Sequence, residues 1–170
     1  MVFVTVGNAK QGFHRLLNAV DKLAGENFFN GEEVFLQLGH TDLSPGYCQF
    51  KSFLPEHEFD EYLKSASIVI CHGGCTQIQT IQMGKVPVVM PRRKKYGEHV
   101  NDHQVQLVEA LASEGRVIPA FEPGDLPGAI ERARRVNVQG IMPPHSQMIK
   151  LVGEAIQELL NGRPVLEGFN

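Results

Sequence analysis

The sequence predicts an α/β fold, a single Rossmann-like domain with a mainly parallel sheet and helices on both faces. Short β-branched runs, apolar throughout or nearly so, recur at residues 2–6, 34–38, 67–71, 87–90 and 116–119. Strands covered on both faces read this way. Between them lie segments whose apolar residues repeat at three- and four-residue steps, as on one face of a helix. Strand–helix alternation of this kind builds parallel sheets.

The run at 2–6 leads through GNAKQGF into a helical pattern carried by Phe13, Leu16, Leu17, Val20 and Leu23. After the run at 34–38, a weaker helix is expected over residues 56–64. The run at 67–71 opens into a helix after Cys75 that Gly84 stops. The run at 87–90 is followed by a polar stretch and then by a helix through Val105, Val108, Leu111 and Ala112, closed at Gly115. After 116–119, Asp125 with Pro127 reads as the cap and first turn of a helix to about Arg135. Residues 136–144, with Gly140 and a Pro-Pro pair, read as a connector. Ile149, Val152, Ile156 and Leu159 mark a last amphipathic helix, closed by Gly162 and Pro164. The whole of 1–170 is expected as one domain, with connector and helix over about 136–162.

Composition narrows the function. The chain has 170 residues, 42% hydrophobic and 21% charged, which suits one ordinary globule. A net charge of −3 argues against a general nucleic-acid binder. No apolar run approaches the roughly 18–20 residues of a membrane span, and the opening MVFVTVG is too short and too little basic for a signal peptide. Cys48, Cys71 and Cys75 do not form a disulfide framework. A cytoplasmic location is expected, with any membrane attachment supplied by a partner.

In open parallel sheets ligands collect at the carboxyl ends of the strands, so the loops after the strands carry the chemistry. In GNAKQGF (7–13), Gly7 and Gly12 allow a tight turn, and the helix behind it points its amide end at the crevice, which suits a phosphate or diphosphate. A plain strand-to-helix turn would use the same residues. In CHGGCTQIQT (71–80), paired glycines enter a helix, so main-chain N–H groups can face an anion. Thr76 and Gln79 then lie where a hydroxyl and an amide reach sugar hydroxyls; alternatively Thr76 only caps the helix. The third loop contains PRRKKYG and GEHVNDHQ (97–104). Asn101 and Gln104 have capping-box spacing, which leaves Arg92, Arg93, Glu98, His99, Asp102 and His103 without a structural purpose. The set Cys71, His72, Cys75, His99 and His103 lacks the paired CxxC spacing of structural zinc sites, so no metal is expected.

On VTVG (4–7), IVICHGG (68–74), GKVPVVMPRR (84–93) and GEHVNDHQ (97–104), the chain resembles the C-terminal, donor-binding half of family 28 glycosyltransferases, the MurG-like GT-B enzymes. It is most similar to stand-alone subunits of that type: the soluble subunit of the eukaryotic two-part UDP-GlcNAc transferase of N-glycan assembly, and the PssE-like proteins of bacterial exopolysaccharide and capsule synthesis. The resemblance implies a UDP-sugar donor, no cofactor, an inverting metal-independent transfer and a lipid-linked saccharide acceptor. It also implies a membrane-associated partner subunit that supplies the acceptor half and recruits the chain to the inner face of the membrane. By position, Gly7 and Asn8 would approach the diphosphate. His72, Gly73 and Gly74 would surround the nucleotide, with Thr76 near the phosphates. Glu98, His99, Asn101, Asp102 and His103 would line the sugar side, and Gln104 would bond the transferred sugar. Arg92 or Arg93 would help carry the leaving charge, and the catalytic base would sit on the missing half. The HGGCT loop departs from the family's HAGxGT pattern by one residue, and Gln79 stands where relatives place a ribose-binding glutamate. Those departures also suit an alternative, a non-catalytic accessory protein that stabilises or stimulates a separate transferase.

Overall fold

A computed structural model describes residues 1–139. The expected helix through Ile149, Val152, Ile156 and Leu159, with Gly162 and Pro164, lies outside the described residues, as does the connector from Gly140 onward.

Among the described residues six strands form one sheet: β1 (Val2–Thr5), β2 (Val34–Gln37), β3 (Gln49–Lys51), β4 (Ile68–Cys71), β5 (Val88–Val89) and β6 (Ile118–Pro119). Their order is β3-β2-β1-β4-β5-β6, and every pairing is parallel. Among the described residues five α-helices cover it: α1 (His14–Gly25), α2 (Glu56–Ser65), α3 (Cys75–Gln82), α4 (His103–Ser113) and α5 (Leu126–Gln139). The single Rossmann-like α/β domain read from the sequence is the fold observed. Strand order reverses between β1 and β4, the place where doubly wound sheets hold their ligands.

Alternation along the strands assigns the two faces. Val2, Val4 and Val6 share one apolar cluster with Leu16, Leu17 and Val20 of α1 and Leu126, Ala129, Ile130 and Ala133 of α5. Phe3 and Val69 point the other way, to Leu63 of α2, Ile78 and Ile81 of α3, and Val108 and Leu111 of α4. The β1 run carries no polar residue except Thr5, whose hydroxyl bonds the Gln37 amide oxygen at 2.5 Å. Such two-sided burial is why the runs are apolar throughout.

Three differences from the sequence reading have physical reasons. β3 was not expected, because all of Gln49, Phe50 and Lys51 are exposed at the sheet edge and show no buried pattern. Residues 136–139 continue α5 instead of starting the connector. Asp125 does not cap α5: its carboxylate reaches back to the Phe121 and Glu122 N–H groups, closing a 3₁₀ turn over Pro123–Asp125. Gly84, at φ 78°, ends α3 as expected.

Candidate functional site

The loops after β1, β4 and β5 meet at the carboxyl edge of the sheet. Gly7 follows β1 at φ +69°, and a Cβ built there would lie 2.5 Å from Cε1 of His72, in the loop after β4. A Cβ on Gly74 would collide with the Nε2 of the same ring. The His72 imidazole is therefore clasped between two glycines, one from each loop, and that close approach requires both to lack a side chain. Burial, and next the nearby Arg92 charge, push the His72 pKa down to about 4. Its Nδ1 is buried without a hydrogen-bond partner among the described residues. His72 is a neutral spacer between the loops at physiological pH.

Beside this clasp lies a cavity of about 310 Å³. Gly7, Asn8, Thr76 and Gln79 line it, so the structure brings together four of the residues singled out in the first two loops. α3 starts there with Gly74 as N-cap and no side-chain cap bond, which leaves its amide end to face the cavity. Thr76 is thus not the cap; it lies in the first turn, and its carbonyl accepts the Thr80 hydroxyl at 2.8 Å. The sequence reading missed the rest of the lining: Gln37 from the end of β2, whose amide donates to the Gly7 carbonyl at 3.5 Å, Leu54 just before α2, and Glu56 and Phe59 within it. Gln37 was read only as part of an apolar run, and the α2 pattern was weak, so neither gave a signal tied to a ligand.

The third loop is built differently from expectation. Arg92 was expected at the ligand; it is instead fully buried, at 0% exposure. Its guanidinium donates to the carbonyls of Val6 (2.9 Å), Gln11 (2.8 Å) and Glu98 (3.2 Å) and lies over the Phe13 ring. Burial pulls its pKa to about 10, still charged at neutral pH. Arg92 therefore ties the loop after β5 to the loop after β1, with its donors turned inward. Glu98 is likewise turned in, forming a two-point pair with Arg15 of α1 (both 2.9 Å) and accepting the Arg93 N–H at 3.0 Å. Arg15, unnoticed in the sequence, also donates to the carbonyls of Pro91 and Phe121.

The rest of GEHVNDHQ is largely bonded to its own loop. Gln104 accepts the Arg92 N–H at 3.0 Å and packs where a Gly73 side chain would go. Asp102 accepts the Lys94 N–H at 2.9 Å, and His99 Nδ1 faces the Asn101 backbone. The capping box expected from Asn101 and Gln104 does not form. α4 begins at His103 after Asp102, and the Asn101 side chain accepts the His103 N–H at 3.3 Å. None of Glu98, His99, Asn101, Asp102, His103 or Gln104 lines the 310 Å³ cavity. Of these, Glu98 and Gln104 reach outside the third loop, to Arg15 of α1 and to Gly73 of the second loop. Among the described residues no group of three or more His, Cys, Asp or Glu is placed to hold a metal ion, and no helix is long and apolar enough to cross a membrane.

The chain was compared with known proteins. The family model described as "Glycosyltransferase family 28 C-terminal domain" matches residues 1–152. Among solved structures, the chain is similar to the glycotransferase of kitacinnamycin, with a TM-score of 0.57 at 17% identity, over 96% of this chain and 44% of that one. It is similar also to MurG of Acinetobacter baumannii, with a TM-score of 0.52 at 18% identity, over 91% of this chain and 49% of that one. At these identities the likeness establishes the fold. The chain spans less than half the length of either protein. No curated protein sequence matches it.

Proposed function

Because the chain belongs to the glycosyltransferase family 28 C-terminal domain family, we propose that it is the donor-binding half of an inverting, metal-independent glycosyltransferase. The donor is a UDP-sugar, held in the 310 Å³ cavity between the loops after β1 and β4. That cavity, lined by Gly7, Asn8, Thr76 and Gln79 beside the uncapped start of α3, is the observation that carries the reading. Main-chain amides and a helix N-terminus favour a diphosphate there, and they also stabilise the negative charge that builds on UDP as it leaves. The acceptor is a lipid-linked saccharide of the exopolysaccharide or capsule type. A membrane-associated partner supplies the acceptor half, the catalytic base and the recruitment of this chain to the inner face of the membrane. Similarity to a stretch covering 44% and 49% of two GT structures supports the need for that second half.

The test is a calorimetric titration with UDP, UDP-sugars and uridine. Saturable binding of UDP, at least tenfold tighter than uridine and weakened in Thr76→Val, is the expected result. Absence of binding at millimolar UDP would defeat the donor-site reading.

A further inference from the structure

β1 and β2 are apolar until their last residues. Each then ends in a polar side chain, Thr5 and Gln37, and these two are register partners at the carboxyl edge of the sheet. Both are buried, at 0% and 2% exposure. Polar groups so placed cost free energy unless each finds a partner, and here the partners converge on one residue, Gly7.

The Thr5 hydroxyl donates to Gln37 Oε1 at 2.5 Å and accepts the Gly7 N–H at 3.2 Å. Gln37 Nε2 donates to the carbonyls of Ser52 (3.0 Å) and Gly7 (3.5 Å). Two carbonyls on that side require the nitrogen there, which fixes the orientation of the amide. The contact to Gly7 is long, and Gly39 completes the hold. At φ +57°, Gly39 lies so near that a Cβ built on it would collide with the Gly7 carbonyl oxygen. Gly7 is thus held at its N–H by β1 and at its carbonyl by β2 and the loop after β2.

Across a planar trans peptide the C=O and the following N–H point in opposite directions. Turning the Gly7 carbonyl towards Gln37 and Gly39 therefore turns the Asn8 N–H away from them. That N–H has no hydrogen-bond partner among the described residues, and Asn8 lines the cavity. Gln37 lines it too, yet both of its N–H groups are directed at main-chain carbonyls. Its influence on a ligand passes through Gly7.

We propose that Gln37 is a positioning residue: together with Thr5 it sets the Gly7–Asn8 peptide so that the Asn8 N–H is presented to the diphosphate of the donor. This inference rests on the donor-site reading above. It gives the two polar strand ends a purpose that sheet formation alone does not require, since apolar residues serve a doubly covered strand better.

The experiment compares UDP with uridine by calorimetry on the wild-type chain and on Gln37→Met, Thr5→Val and Thr5→Ser, and follows the Asn8 amide signal by NMR. Gln37→Met and Thr5→Val keep the size of the side chain and remove its hydrogen bonds. Thermal melting first checks that each is folded, and Thr5→Val carries the test if Gln37→Met is not. The expected result is that both weaken UDP about fivefold, the worth of one neutral hydrogen bond, and leave uridine unchanged. Thr5→Ser, which keeps the hydroxyl, should restore UDP binding. UDP should move the Asn8 amide proton downfield in the wild type and move it less in Gln37→Met. Equal weakening of UDP and uridine, or of neither, overturns the proposal, as does an Asn8 signal that UDP leaves in place. Failure of both variants to fold makes the network a need of the fold and not of the ligand, and overturns it too. Wild-type failure to bind UDP is a separate outcome: it removes the donor-site reading, and this inference with it.

Discussion

His72 shows how much a single residue depends on its surroundings. In the sequence it was a titratable group beside Gly73 and Gly74; in the structure Gly7 and Gly74 enclose it, and burial removes the proton. Its folded pKa of about 4 lies below the unfolded value of 6.5, so the unfolded chain binds the proton more readily. Stability from this group is complete above about pH 6.5 and declines as pH falls towards 4. Between pH 6.5 and 5, before most carboxylates titrate, urea unfolding should show a falling stability in the wild type and a flatter profile in His72→Asn. The close approach of the first two loops was legible because glycines before a helix announce it. Arg92 and Glu98 were misread because a charged residue is taken as ligand-facing unless its partners are visible. Those partners, Val6, Gln11 and Arg15, lie about 80 residues away in the chain.

The elements were legible wherever burial left a period. β1, β2, β4, β5 and β6 each fall inside an expected apolar run, since they are covered on both faces. β3 left no such trace because its side chains are exposed and its place is set by backbone pairing with Phe35, Leu36 and Gln37. Element ends also depend on distant groups. The Lys85 ammonium donates to the carbonyls of Leu63 (2.7 Å), Lys64 (2.6 Å) and Ala66 (2.8 Å), closing the C-terminus of α2 from the segment that follows α3. Lys85→Met should cost about 1–2 kcal/mol in urea unfolding, with faster amide exchange in the last turn of α2. Unchanged exchange there would show that the cap is dispensable. Because α2 also carries Glu56 and Phe59, this bond steadies one wall of the cavity from its far end.

At the scale of the molecule, the sequence made the parallel α/β class plain, but not the strand order, which depends on which runs pair across long intervals. That order puts the cavity at the carboxyl edge of the sheet, beside the switch point between β1 and β4. If the chain is the donor-binding half of a two-part transferase, as proposed, it should alone bind donor and show little transfer to a lipid-linked acceptor, and a partner that supplies the acceptor half should raise turnover by at least a hundredfold. Rapid transfer by the isolated chain would place a complete active site within these residues. The same winding has a consequence for biosynthesis. β1 is the centre of the sheet, yet Val2 pairs with Val34 on one side and with Ile68 on the other. At about 5–20 residues per second on the ribosome, the β1 segment waits several seconds for β4 to be translated and emerge. During that interval one edge of the apolar β1 segment lacks its β4 partner, which leaves it open to a chaperone that binds short apolar runs.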